Sequence, residues 1–183
     1  LELDRVTIAV QGRVLIRALG ARVEPAGVLA VMGPSGSGKS SLLAWMAGTL
    51  GPPLVATGGL MLNGRDIGAL PIQARRVGLL FQDDLLFPHL TVLDNLLFAL
   101  PQGERRERVQ RAETALAEAG LQGFGGRKPA SLSGGQRARV ALLRALLAAP
   151  DAMLLDEPFS KLDAALRLQM RAFTFGLLNK RGV

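Results

Sequence analysis

The stretch Gly33-Pro34-Ser35-Gly36-Ser37-Gly38-Lys39-Ser40-Ser41 limits what the rest of the chain can be. It is a glycine, four residues, then Gly-Lys-Ser. The apolar run Val28-Leu29-Ala30-Val31-Met32 precedes it, and helical spacing of Leu42, Leu43, Trp45 and Met46 follows. That context predicts a short buried strand, a tight loop and a helix. Glycines let backbone N–H groups close around a phosphate chain, an approach that side chains would block. Lys39 would reach the β- and γ-phosphates as a point charge, and Ser40 would offer its hydroxyl to Mg²⁺. The helix would turn its positive end toward the anion. The segment therefore reads as a phosphate-binding loop. A glycine-rich turn that merely ends in Lys-Ser would lack the flanking strand and helix.

With 183 residues, the chain has length for one well-buried domain and at most a second small one. An apolar fraction of 49% with few aromatics suits an α/β protein rich in Leu, Ala and Val. No apolar run approaches the ~18 residues of a membrane span, and Leu96 to Leu100 and Val140 to Ala149 read as buried helices. Cysteine is absent, which excludes a disulfide framework and a Cys-based metal site and fits a reducing compartment. No signal-peptide pattern opens the sequence, and a start at Leu1 rather than Met implies that a few residues precede it. The formal charge of +7 invites a nucleic-acid reading. Its distribution argues against one, because the densest run, Glu104-Arg105-Arg106-Glu107-Arg108, interleaves acids as on a solvated helix face. Docking near anionic lipid accounts for the charge at least as well.

Loose alternation through Leu1, Leu3, Val6, Ile8 and Val10, then Val14 and Ile16, predicts a hairpin-like pair of strands turning at Gln11-Gly12. Gly51-Pro52-Pro53 ends the helix after the phosphate loop, and Gly58 to Asn63 with Gly64 gives another strand and turn. Pro71 to Arg76 is a short helix or turn, and Val77 to Phe81 a buried strand running into Gln82-Asp83-Asp84. Helices then dominate. Thr91 is the N-cap of a helix over Val92 to Leu100, stopped by Pro101, and Glu104 to Ala119 is amphipathic with Gly120 as its stop. Leu132-Ser133-Gly134-Gly135-Gln136 opens a helix through Leu147, Ala152 to Leu155 is a buried strand, and Asp163 to Leu178 a last helix.

Four apolar residues followed by Asp156-Glu157 put two carboxylates at the carboxyl end of a central strand, where ligands sit in parallel α/β sheets. Asp156 is suited to hold Mg²⁺ through water, and Glu157 to polarise the attacking water. With Leu-Ser-Gly-Gly-Gln-Arg-Ala-Arg-Val-Ala at residues 132 to 141, the chain closely resembles the ATP-binding subunits of ABC transporters over essentially its whole length. That run matches the family's signature motif. Gly33 to Ser41 matches Walker A, Gln82 the Q-loop glutamine, and Met153 to Glu157 Walker B with its catalytic glutamate. Ser160-Lys161-Leu162-Asp163 resembles the D-loop, normally Ser-Ala-Leu-Asp. Leu86 to Val92, followed by Asn95, is similar to bacterial importers served by a periplasmic binding protein, of the thiamine, molybdate, iron and polyamine types.

The resemblance implies an α/β P-loop NTPase core with a parallel sheet, an antiparallel N-terminal β-subdomain and a helical insert. Residues 1–82 and 151–183 would form the core and 83–150 the helical subdomain. The implied site takes ATP and Mg²⁺. Glu157, Gln82, Lys39 and Asp163 would be catalytic, and Ser40, Gln82 and Asp156 would hold the metal. Gly33 through Ser41 would bind nucleotide, as would Ser133, Gly134, Gly135 and Gln136. Two subunits would clamp two ATP molecules head to tail as a homodimer. The dimer would sit at the cytoplasmic face of the inner membrane, against transmembrane permease subunits and through them a periplasmic binding protein, with no direct nucleic acid.

Three departures from the family stand out. The adenine-stacking aromatic expected near Val10 is missing, and the chain has no Tyr. The only histidine is His89, which reads as a surface residue of the Q-loop region. The family's switch histidine lies beyond Val183, so a C-terminally truncated cassette is expected. The competing readings are a non-transport ABC ATPase acting on DNA or ribosomes and a nucleotide-binding regulatory subunit. The first would call for a coiled-coil or zinc insertion between the Walker motifs, or for two cassettes in one chain.

Overall fold

The computed structural model describes residues 1–183, which separate into two compact units. The first comprises Leu1–Leu79, Asp151–Asp156 and Leu178–Val183. Its larger sheet has four strands in the order β2-β1-β3-β4: β1 (Glu2–Val10), β2 (Arg13–Arg22), β3 (Leu54–Leu62) and β4 (Arg65–Asp66). All three pairings are antiparallel. The Gln11-Gly12 turn sets Val10 opposite Arg13, and the register runs to Glu2 opposite Arg22. Alternation puts Val6 and Ile8 on the inner face, and a register shift between Leu3 and Val6, where Arg5 adopts φ 46, brings Leu3 there too; they meet Leu42 and Met46 from α1 (Lys39–Ala47) and Leu60 and Leu62 from β3. A second sheet pairs β5 (Val77–Leu80) with β6 (Ala152–Leu155), and α1 packs against both β3 and β6. Leu154 of β6 joins the same core.

The second unit comprises Leu80–Pro150 and Glu157–Leu177. It contains α2 (Val92–Ala99), α3 (Arg105–Glu118), α4 (Gly134–Leu147) and most of α5 (Ala164–Arg181). Helix α2 starts in a capping box: Thr91 Oγ1 accepts from Asp94 N at 3.0 Å, while Thr91 N donates to the Asp94 carboxylate. Helices α2, α3 and α4 pack on one another through Val92 and Leu96, Ala112 and Leu116, and Val140 and Leu143, all fully buried. The Leu- and Ala-rich composition finds its physical reason here, since Ala lets helices approach closely and neither Ala nor Leu, unbranched at Cβ, costs much helix propensity.

The expected hairpin, the helices and the strand over Ala152 to Leu155 are present. Two expectations require correction. Residues Val28 to Met32 form no strand. A strand exists through its ladder to a neighbour, and the β5–β6 sheet does not extend to this run, so its apolar side chains stay outside the core, with Val28 69% and Met32 89% exposed. The strand expected over Val77 to Phe81 ends at Leu80, leaving Phe81 exposed. Within the β5–β6 pair only Leu80 and Leu154 are fully buried, because two strands cannot cover each other's faces.

Candidate nucleotide-binding site

In the first unit the phosphate loop runs directly into α1. Gly38 is the N-cap at φ 94, a left-handed conformation natural to glycine, and a side chain there would press on Leu15 and Ile16. No side chain caps the helix start and its first turn carries no acid. Its leading N–H groups, from Lys39, Ser40 and Ser41, are therefore suited to an anion. Gly33 to Gly36 is exposed, and the loop is drawn together by Ser37 N donating to Pro34 O at 3.3 Å. Lys39 Nζ curls over it, donating to Gly33 O and Pro34 O at 2.9 Å each. Its charge is thus held at the loop, where a phosphate can exchange for the two carbonyls.

At the carboxyl end of β6, Asp156 Oδ1 accepts a hydrogen bond from Ser40 Oγ at 3.0 Å. The two residues are far apart in sequence, yet α1 and β6 bring a hydroxyl and a carboxylate into direct contact. These are hard oxygen donors, one neutral and one anionic. Mg²⁺ accepts such a pair together with waters and phosphate oxygens, with no need for a cage of protein ligands. The residues present fit that ion. No cluster of three or more His, Cys, Asp or Glu competes for the role of metal site.

In the second unit, Glu157 is exposed and adopts φ 46, rare for a residue with a side chain. Its carbonyl accepts from Ser160 N and Ser160 Oγ, making a tight turn that leaves the carboxylate outside. Asp163 caps α5, accepting from Leu166 N at 2.9 Å. Gln82 is exposed just beyond β5. Ser133 is the N-cap of α4 and forms a capping box with Gln136: Ser133 N donates to Gln136 Oε1 at 2.9 Å, and Gln136 N to Ser133 Oγ at 3.3 Å. Gly134 and Gly135 are the first helical residues. His89 is exposed, as expected.

Sequence reading missed the ion pairs that follow Gln82. Asp83 pairs with Lys161, and Asp84 Oδ2 with Arg137 Nε at 3.2 Å, while Arg137 also donates to Leu132 O at the start of the signature run. Burial pushes the Asp84 carboxyl above the usual carboxylate range, and the Arg137 guanidinium opposes the shift. The one signal in the sequence was Lys161, a cation where the D-loop pattern has alanine.

A loop of this composition before a helix, bonded through its serine to an acid at a strand end, defines a phosphate-loop nucleotide-binding domain. Residues 16–160 match the ABC transporter family profile, and the chain belongs to that family of ATPases. It is similar to the uncharacterized ABC transporter ATP-binding protein YnjD of Escherichia coli K12, 51% identical over 84% of this chain and 71% of that protein. The Fe(3+) ions import ATP-binding protein FbpC 1 of Rhizobium meliloti is 44% identical over 84% of this chain. The sulfate/thiosulfate import protein CysA of Mycobacterium tuberculosis H37Rv is 47% identical over 82%. In each of these two the matched region is 43% of the relative's length. Among solved structures, the dimeric post-hydrolysis state of the cassette MJ0796 with ADP and Pi superposes at a TM-score of 0.81, with 29% identity, over 99% of this chain and 84% of that one.

Proposed function

We propose that this chain is the ATP-binding and ATP-hydrolysing subunit that powers solute import through a membrane permease. The observation that carries the reading is the Ser40–Asp156 contact at the end of the phosphate loop, which sets a Mg²⁺-type oxygen pair beside Lys39. Backbone N–H groups of Gly36 to Ser41 bind the phosphates, and Lys39 neutralises charge on the β- and γ-groups. Ser40 and Asp156 would hold Mg²⁺, which when bound would neutralise charge on the β- and γ-phosphate oxygens. Glu157 orients the attacking water and accepts its proton, and Asp163 positions the turn that carries it. Ser133, Gly134, Gly135 and Gln136 at the start of α4 receive the γ-phosphate of a second subunit's ATP, so that two copies close head to tail.

The importer assignment rests on the iron and sulfate import relatives and on the segment Leu86 to Val92 with Asn95. No helix of the chain is long and apolar enough to cross a membrane. In this reading the subunit works as a peripheral protein on the cytoplasmic face, and a permease with its periplasmic binding protein supplies the pathway. The region from Asp83 to Leu100 is the proposed permease contact. There Phe87 and Phe98 meet edge to face at 4.8 Å, and Phe98 is 69% exposed.

The test is calorimetry with Mg-ATP. Lys39→Ala should reduce affinity by at least about tenfold, since loss of a charge-assisted contact of ~1.5–3 kcal/mol removes that much, with the thermal melt unchanged. An unaltered dissociation constant would remove the phosphate-loop assignment. Co-purification of the full subunit with a permease tests import.

A further inference from the structure

Two adjacent arginines sit at the end of the first unit away from the phosphate loop, and each grips one of the elements that carry the metal pair. Arg75 is buried, with no carboxylate among its hydrogen-bond partners. Its guanidinium donates from Nη1 to Trp45 O at 2.7 Å and Met46 O at 3.0 Å, from Nη2 to Gly68 O at 2.7 Å, and from Nε to Leu70 O at 2.9 Å. Trp45 and Met46 lie in the last turn of α1, which has no basic residue of its own there. Arg75 supplies that positive charge from outside the helix. The fit is close: Gly48, at φ 83, would place a Cβ 2.8 Å from Arg75 Nε.

Arg76 grips the other element. Its carbonyl accepts from Asp151 N at 2.8 Å, and its guanidinium forks onto the Asp151 carboxylate, Nε to Oδ2 at 2.8 Å and Nη2 to Oδ1 at 2.9 Å. Asp151 immediately precedes β6. Arg76 does this at φ 54, a conformation that few residues with side chains adopt. The Asp151 contacts, through both main chain and side chain, hold it there.

We infer that Arg75 and Arg76 are positioning residues for the Mg²⁺ pair: together they fix the register of α1 against β6, and so the approach of Ser40 to Asp156. Neighbouring Cα atoms are ~3.8 Å apart across one peptide, and helix and strand transmit a shift along their axes. One short clamp at the far ends therefore sets the spacing at the site. The inference rests on the reading that Ser40 and Asp156 share the metal.

The experiment measures binding of a fluorescent ATP analogue to the full chain, titrated with Mg²⁺ and repeated in EDTA. Arg76→Met and Asp151→Asn should raise the Mg²⁺ concentration for half-maximal binding by about tenfold, the low end for losing a residue that orients metal ligands. Affinity in EDTA, which reports the loop and Lys39, should stay as in the wild type. The exchange Arg76→Asp with Asp151→Arg should restore the Mg²⁺ dependence. Arg75→Met strips a buried group from four carbonyls and is read only on its folded fraction, by the same Mg²⁺ shift. Should the surface variants lower the melting temperature while the Mg²⁺ dependence of folded protein stays put, the pair is merely structural and the proposal fails. If wild-type binding is itself indifferent to Mg²⁺, the metal reading falls, and the proposal with it.

Discussion

At the scale of single residues, the contact set of the phosphate loop is almost entirely blind to the base. In the proposed site the loop offers backbone N–H groups and Lys39 to phosphate and Ser40 to Mg²⁺, and Val10, the last residue of β1, stands where a stacking ring would be expected. Base stacking on an aromatic side chain contributes ~1–3 kcal/mol. Without it, GTP should compete with ATP within about tenfold, because a factor of ten corresponds to ~1.4 kcal/mol. Competition binding measures this directly, and a preference for ATP beyond about a hundredfold, ~2.7 kcal/mol, would show that some other residue grips adenine. The geometry of the loop was legible in the sequence because it is local: a glycine that adopts φ 94 and a lysine bonded to carbonyls five and six positions back are fixed by their own neighbours. Arg75 and Arg76 were not legible. Two of the four carbonyls that hold Arg75 lie 29 and 30 positions before it, at a helix end, which no residue type announces, and the carboxylate that holds Arg76 lies 75 positions after it.

At the scale of elements, α2 shows how a capping box makes helix stability depend on acid. The Thr91 hydroxyl donates to Asp94 Oδ2 at 2.6 Å, and this hydrogen bond holds the Asp94 carboxyl below the usual carboxylate range. The folded pKa is depressed, so the contribution to stability is complete above the unfolded value near ~4 and is lost as pH falls through the folded value. Stability of the second unit should therefore decline below about pH 4, with Asp94 contributing to the slope. Thr91→Ala should cost about 1 kcal/mol at neutral pH and flatten that acid slope, both readable from urea denaturation at a series of pH values. A variant with unchanged stability and slope would mean that the box is idle. Elements defined by such local chemistry, including the Ser133 box that starts α4, could be read from the sequence to within a residue or two. The run Val28 to Met32 could not. Its apolar character is that of a buried strand, but burial and pairing depend on neighbours that a local pattern does not contain.

At the scale of the whole molecule, the proposed machine is complete only as two copies with ATP between them. Ser133 is exposed, its hydroxyl accepts from its own helix, and Gly134 and Gly135 start α4 with leading N–H groups suited to an anion. In the proposed arrangement that anion is the γ-phosphate on the partner's phosphate loop. Dimerisation is then linked to ligand. At an ATP concentration 100 times the dissociation constant, each bound nucleotide favours the competent state by ~2.7 kcal/mol, and hydrolysis removes the group that holds the interface together. Glu157→Gln keeps the size of the side chain and its place in the φ 46 turn but removes the proton acceptor. The variant should bind ATP and stop. With saturating Mg-ATP, light scattering coupled to gel filtration should give twice the monomer mass for Glu157→Gln. The wild type should return to monomer as its ATP is consumed, and the variant should remain monomeric with ADP. Adding Ser133→Ala should leave nucleotide affinity of the monomer unchanged while weakening the dimer, because that serine meets only the other subunit's ligand. A Glu157→Gln protein that stays monomeric with saturating Mg-ATP, while calorimetry shows its site filled, would mean that nucleotide does not complete the interface and that the head-to-tail mechanism is wrong for this chain.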